Sequence, residues 1–365
     1  MSENPQKLYQ ISLNVGESMS HFGGDSRGIG VENVQEFLHS DTLFSAICCA
    51  WGEMYGKDDV EGAFKRFEAY QGGTAEHPPF RLSSAFLSAR GAYYLPRPLI
   101  PLPRYRGPDP DLRQAVDRLF RRYGARIEDA AFLRMGEVRR WLQEDWTVWD
   151  EKDYTDFYEG AADGAGAYSG LFVRLVRPVN SRDRARARTV IFHRGEVAYG
   201  KDTGLYFFLK TDPETVGRIE DILRALSVYG GFGGERGVGF GAFALERVED
   251  VQHSSWREFF EPGGEATGSY LLSLWHPDGR EQAAGGYYDL IWRKGWFQSP
   301  FSGYQFKKQT LPMAAEGSVF PVSEIRGSLV EVTPKVWAEK KDSAETWHPI
   351  YRYSIPLTVP VRCEV

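Results

Sequence analysis

The chain has 365 residues, with 44 Lys and Arg against 50 Asp and Glu, a formal net charge of −6. Hydrophobic residues at 42%, aromatics at 14% and charges at 26% exclude a disordered chain and supply a sizeable core. At roughly 100–200 residues per domain the length predicts two lobes, and the acidic total excludes indiscriminate attraction to nucleic acid while leaving room for local basic patches.

Along the chain, Tyr9, Ile11, Leu13 and Val15 alternate with polar neighbours and predict a half-buried strand. A polar loop over 19–35 follows, holding His21-Phe22-Gly23 and Arg27. Ser40 or Asp41 is then expected to cap a helix with an apolar stripe of Leu43, Ile47, Ala50, Trp51 and Met54, ended by Gly56. Residues 93–103 carry four prolines and predict an extended connector, neither helix nor central strand. The stretch 111–146 reads as an arginine-rich helical insertion, and the Gly- and Ala-rich 161–170 as a mobile loop or hinge. Between 174 and 194 stand seven arginines and one acid, Asp183. A strand over 203–210 leads to Asp212-Pro213, the cap and first turn of a helix with Ile219, Ile222, Leu223 and Leu226 inward. Aromatic-rich alternating segments continue through 240–248, 270–275, 287–292 and 351–353.

The run 230–241, Gly-Gly-Phe-Gly-Gly-Glu-Arg-Gly-Val-Gly-Phe-Gly, has seven glycines in twelve residues. Without Cβ the backbone takes φ > 0 and approaches a ligand closely, presenting N–H groups to anionic oxygens. The run lies where a helix leads into a strand, the reverse of a P-loop, and lacks the Gly-Lys-Ser/Thr ending. Its nearest dinucleotide pattern, Gly237, Gly239 and Ala242, enters a strand, so ATP and NAD are disfavoured and no cofactor is expected. Two readings stand: a tight structural corner, or a phosphate grip made by Gly231, Gly233, Gly234, Gly237 and the Arg236 guanidinium.

The basic stretch likewise reads as a solvated face or, if extended, as a rail with Arg182, Arg184, Arg186 and Arg188 on one side, suited to single-stranded RNA. Lys307 and Lys308, after Tyr304 and Phe306, mix charge with rings as single-strand sites do. His21 is either a general base for a ribose 2′-hydroxyl or a hydrogen-bonding loop residue; with no second acid or base at a set spacing, no catalytic residue is assigned. His21, Phe22, Gly23 and Arg27 are expected to line the glycine pocket. The histidines form no metal spacing, so no metal site is expected. Cys48, Cys49 and Cys363 have no Cys-x-x-Cys spacing, the opening MSENPQKLYQ has no apolar h-region, and no apolar run of about 18 residues occurs. A cytoplasmic chain without membrane contact is expected.

Taken in order, Ser40-Asp41-Thr42-Leu43-Phe44-Ser45-Ala46, Leu95-Pro96-Arg97-Pro98-Leu99, Asp183-Arg184 before Gly204-Leu205-Tyr206-Phe207, the glycine run with Arg236, Lys307-Lys308, Glu316-Gly317-Ser318-Val319-Phe320 and Pro349-Ile350-Tyr351-Arg352-Tyr353 resemble the RAMP proteins of CRISPR effector complexes. Together they span most of the chain and look like the type III-A Csm-complex subunit that caps the crRNA 5′ handle. That resemblance implies an α+β chain of two ferredoxin-like, RRM-related domains with insertions and a Gly-rich loop between helix and strand. One domain would span 1–200, completed by parts of 201–250, and the other 251–365. It further implies a non-catalytic crRNA-binding subunit that holds the repeat-derived handle and docks the large polymerase/cyclase-like subunit and a backbone RAMP subunit. The alternative is a metal-independent endoribonuclease that matures crRNA, with His21 or another base in line with a 2′-hydroxyl. Two departures stand out: the insertion at 111–146 is longer than the family's, and the glycine run reads Gly-Gly-Phe-Gly-Gly-Glu-Arg.

Overall fold

The computed structural model describes residues 5–23, 33–183, 188–279, 281, 285–322, 324–341 and 346–362, with the backbone alone at 181–183 and 188–190. The alternating segment forms β1 (Lys7–Asn14), yet Gln10 and Ser12 are buried along with Ile11 and Leu13. The expectation of a half-buried strand is corrected here because β1 is central to its sheet, with a neighbour on each edge and cover on both faces. After it come α1 (Ser40–Tyr55), α2 (Lys57–Gln71) and the strands β2 (Phe80–Leu82), β3 (Phe86–Ala89) and β4 (Ala92–Pro96). Residues 93–96, expected in an extended connector and not in a central strand, belong to β4, which pairs with β3 and β5 and stops at the first proline of the stretch.

The insertion folds as α3 (Pro110–Glu128), β5 (Phe132–Arg134), α4 (Met135–Gln143) and α5 (Glu151–Ser169). Residues 161–169 are thus the last turns of α5 and not a hinge. Their small side chains serve close packing: Ala161 and Ala162 are buried, and a Cβ on Gly160 or Gly164 would press on Glu137 or Arg134. A long hairpin, β6 (Phe172–Asp183) with β7 (Arg188–Tyr199), precedes β8 (Thr203–Thr211).

Asp212 caps α6 (Pro213–Tyr229), accepting from the Glu214 and Thr215 amides at 3.1 and 2.9 Å, and Ile219, Ile222, Leu223 and Leu226 face inward as the spacing predicts. The glycine run then turns the chain into β9 (Ala244–Asp250), the predicted helix-to-strand corner. These strands form one antiparallel sheet in the order β9-β1-β8-β3-β4-β5, with β2 also on β8. Counting β2 and β3 as one interrupted strand, the core repeats β-α-β-β-α-β with its strands in the spatial order 4-1-3-2, the ferredoxin-like arrangement.

Over the C-terminal part the described residues form short strands. They are β10 (Gly268–Leu271), β11 (Leu290–Arg293), β12 (Leu311–Ala314), β13 (Val319–Phe320), β14 (Ser328–Glu331), β15 (Tyr351–Ser354) and β16 (Thr358–Val361). β10 lies between β13 and β16, while β11 pairs β12 and β14 pairs β15. Helices Arg257–Phe260 and Lys335–Ala338 have four residues each, too short to cover a sheet. Packing therefore continues across residue 250. Tyr353 stacks on Phe44 of α1 at 4.7 Å between ring centroids, and Ile355, Val359 and Val361 share one buried cluster with Phe67 and Phe80. That cluster, with β15 laid on α1 and α2, joins the two parts through one buried core.

Candidate nucleic-acid interface

Helix α1 starts one residue earlier than its expected caps. His39 occupies the N-cap, and Ser40 and Asp41 lie inside the first turn, both buried. Each is diverted from capping by tertiary partners: the Ser40 hydroxyl accepts from the Leu274 amide at 3.1 Å, and Asp41 receives two arginines from the C-terminal strands. Arg293, at the end of β11, donates through Nη2 to Asp41 Oδ1 at 2.9 Å and through Nε to Oδ2 at 3.1 Å; Arg352, in β15, donates through Nη1 to the same Oδ2. Burial pushes the Asp41 carboxyl up, and the two guanidiniums overcome it and hold the group well below the usual carboxylate range. The Arg352 Nε is buried and has no hydrogen-bond partner among the described residues.

This ion cluster floors a cleft of about 1090 Å³ between α1, α2, the glycine turn and the segment 293–301. Lys308 lines it too, with its Nζ 3.4 Å from the Ser45 hydroxyl. Burial, and then Arg352, push the Lys308 ammonium down to about 8, with Asp41 resisting. Three cations thus face one carboxylate, and the floor carries excess positive charge. Segment 295–301 is seated on α1 through the Cys49 thiol, which donates to the Gln298 carbonyl at 3.3 Å, and through Gly52, where a Cβ would stand 2.7 Å from the Phe301 ring.

The glycine turn forms the opposite wall. Gly231, Gly233, Gly239 and Gly241 have φ between 67° and 90°, and Glu235 joins them at 57°, a region open to glycine and strained for other residues. A Cβ at Gly241 would overlap the Phe232 carbonyl oxygen, and one at Gly233 would lie 2.7 Å from the His21 carbonyl oxygen. Several amides serve the turn itself: Phe232 N–H donates to Gly241 at 3.0 Å, Gly234 N–H to His21 at 3.0 Å, and Gly241 N–H to Met19 at 2.7 Å. The amides of Phe232, Gly234 and Gly241 are thus used in holding the corner itself. Between them, Glu235 to Gly239 lies at the surface, with the Arg236 Nη2 donating to Gln298 Oε1 at 2.9 Å across the cleft mouth.

Of the residues singled out in the sequence, the cleft brings together His21, Gly23, Gly233, Gly234, Arg236 and Lys308. His21 bonds through Nδ1 to the Gly195 carbonyl at 2.8 Å, and its ring packs under Gly234. Phe22 is corrected to a core residue: its ring is 3% exposed and sits beneath Gly233. Gly231 is likewise buried in the turn, and Gly237 is exposed beyond the cleft rim. Lys307 points to the surface, stacking on Trp296 at 5.4 Å, and Trp296 lines the cleft. Arg27, Arg184 and Arg186 lie outside the described residues, and for Arg182 and Arg188 the backbone alone is described.

The four-arginine rail is corrected by the backbone: Arg188 pairs with Asp183 and Thr189 with Arg182 across the hairpin. Arg182 and Arg188 therefore stand on the two opposite strands of the hairpin and not along one strand. Lower on the hairpin, Arg174 and Arg177 reach buried carboxylates, Glu36 and Glu196, the latter at 3.0 Å. Arg194 bridges Glu196 at 2.7 Å to Glu235 of the glycine turn at 2.9 Å and lies 4.6 Å over the Phe240 ring, tying arm to turn. In the sequence Asp41 stood only as a helix cap and Arg352 only within a motif, while Arg293, Gln298 and Trp296 were not singled out, although Arg293 was legible as a charge in an aromatic strand.

Residues 265–361 match the family model described as the CRISPR Csm4 C-terminal domain. Two solved structures share the fold. One is described as the crystal structure of the Csm3-Csm4 subcomplex in the type III-A CRISPR-Cas interference complex. There the identity is 17% and the TM-score 0.58, over 98% of this chain and 100% of that one. The other is described as the Csm1-Csm4 cassette in complex with AMPPNP. It is 16% identical, with a TM-score of 0.51, over 98% of this chain and 99% of that one. No curated protein sequence matches. Among the described residues no helix is long and apolar enough to cross a membrane.

Proposed function

We propose that this chain, a Csm4-like RAMP protein, is the subunit of a type III-A CRISPR effector complex that holds the repeat-derived 5′ handle of the crRNA, and that it does so without cutting it. The observation that carries the reading is the cleft floor, where Arg293, Arg352 and Lys308 surround the single carboxylate of Asp41. Excess positive charge in a partly dry cleft attracts phosphate oxygens through charge-assisted hydrogen bonds. Trp296 at the cleft wall and Arg236 at its mouth add a stacking face and a guanidinium, the equipment for splayed single-stranded RNA.

His21 supports holding in preference to catalysis. With Nδ1 committed to the Gly195 carbonyl and its own carbonyl accepting from Gly234, it pins the hairpin base to the glycine turn. The solved chains of this fold were described with Csm3 and with Csm1, and we assign this chain corresponding neighbours: a backbone RAMP subunit and a large polymerase/cyclase-like subunit, assembled in the cytoplasm.

Incubation of the purified protein with repeat RNA in EDTA separates holding from cutting. The RNA stays intact on this reading. A 2′,3′-cyclic phosphate product that disappears in His21→Ala would establish the endoribonuclease instead. Titrating salt against handle RNA tests the binding itself: Arg236→Ala and Lys308→Ala each lower the log–log salt slope by about 0.7, and unchanged slopes in both would refute the cleft as the site.

A further inference from the structure

Behind the glycine turn lies a second hollow, of about 900 Å³, between the C-terminal ends of α1 and α6. The turn is the wall common to both cavities: Gly233, Gly234, Glu235, Arg236 and Gln298 line each of them. The rim of the hollow is apolar and open. Tyr229 is 87% exposed, Val238 66% and Met54 42%, and all three line it. Met54 occupies the end of the apolar stripe of α1, and Tyr229 is the last residue of α6. Single exposed apolar side chains are ordinary on a protein surface; three around one concavity mark a contact site.

Charge decides what fills it. A helix C-terminus carries roughly half a negative charge on its unpaired carbonyls. Neither α1 nor α6 has a basic residue in its last turn to offset this. Glu53, exposed in the last turn of α1, also lines the hollow, and Glu53 forms no ion pair among the described residues. Of the other charged groups there, Glu235 is paired with Arg194, and Arg236, bonded to the neutral Gln298 amide at 2.9 Å, keeps its charge and offsets Glu53. With Glu53 and Arg236 offsetting each other, the two carbonyl ends leave the hollow a weak negative bias, and a protein segment bearing an apolar side chain beside a Lys or Arg is complementary to that bias and to the apolar rim.

We propose that this hollow is a protein-docking site, and that its occupant is a segment of another protein subunit presenting an apolar anchor next to a basic residue. This rests on the proposed assembly with other protein subunits and stands whether or not RNA fills the neighbouring cleft. Because the turn is shared, the docked segment presses on the outer side of the wall whose inner side faces the cleft.

The test places a benzoylphenylalanine photocrosslinker at position 229 in the complex co-expressed with its protein subunits and guide RNA. Irradiation is expected to yield a peptide adduct from a different subunit, with a Lys or Arg adjoining an apolar residue. An adduct with RNA, an adduct with a second copy of this chain, or no adduct overturns the proposal. In parallel, the combined Tyr229→Ala and Val238→Ser variant is expected to weaken binding of the co-expressed subunit about thirtyfold, as loss of interface hot spots does. Glu53→Lys is expected to weaken it further. Both variants change exposed positions, so their thermal unfolding is expected to match the parent. Undiminished binding in both contradicts the docking site.

Discussion

The hairpin and the cleft floor are both rich in arginine, and they could hardly differ more in how they use it. On the hairpin, residues 174–194 concentrate basic charge within one short stretch of sequence, and Arg174 and Arg177 are more than half exposed. At the cleft floor, Arg293 and Arg352 are 5% and 4% exposed and come from strands 59 residues apart, meeting an aspartate from the first turn of α1. Charge crowded along a sequence finds solvent, because neighbouring like charges cannot all be neutralised in an interior. Charge gathered from distant segments marks a place where the fold itself has met the desolvation cost.

The sharpest way to break this contrast is to remove the shared carboxylate. Asp41→Ala leaves two buried guanidiniums uncompensated and is expected to lower stability by about 3–5 kcal/mol, read by denaturant unfolding. Arg177→Ala on the hairpin should cost less, about 1–2 kcal/mol, since the buried Glu196 carboxylate loses the partner of one oxygen but keeps Arg194 on the other at 2.7 Å. Equal losses in the two variants would erase the distinction.

Next in size comes the glycine turn. Gly241→Ala adds a Cβ against the Phe232 carbonyl at φ 73° and is expected to destabilise by about 1–3 kcal/mol. Gly237→Ala, where a Cβ meets nothing within 4 Å, leaves stability unchanged. A matched effect at both positions would show that composition, and not packing on His21 and Phe232, explains the run.

A smaller effect concerns pH. With its pKa pushed down to about 8, Lys308 is charged below that value and neutral above it. Anion affinity therefore falls as pH rises from 7 to 9, by roughly tenfold for the loss of one charged hydrogen bond. Lys308→Arg should flatten the profile, because a guanidinium stays charged throughout. A wild-type profile that is flat over this range would place Lys308 away from the bound anion.

Local signals carried most of the N-terminal fold. The alternation around Ile11, the Asp212-Pro213 start of α6 and the glycine corner before β9 all lie within a few residues of the structure they specify. Where reading failed, a distant partner had overridden local preference. Ser40 and Asp41 look like caps until Leu274, Arg293 and Arg352 claim their side chains. The Ala- and Gly-rich end of α5 looks like a hinge until Glu137 and Arg134 are packed against it. Half of the cleft was legible in His21, the glycine turn, Arg236 and Lys308. Its floor was not, because no spacing rule links residues 41, 293 and 352.

The most direct test of the account is crosslinking mass spectrometry on the complex purified with its guide RNA, with thiolated uridines in the handle. The cleft account predicts adducts on peptides holding 231–237 and 294–308, from handle nucleotides. Handle adducts confined to the hairpin arm or to the exposed arginines of α3, with none on those peptides, would contradict it.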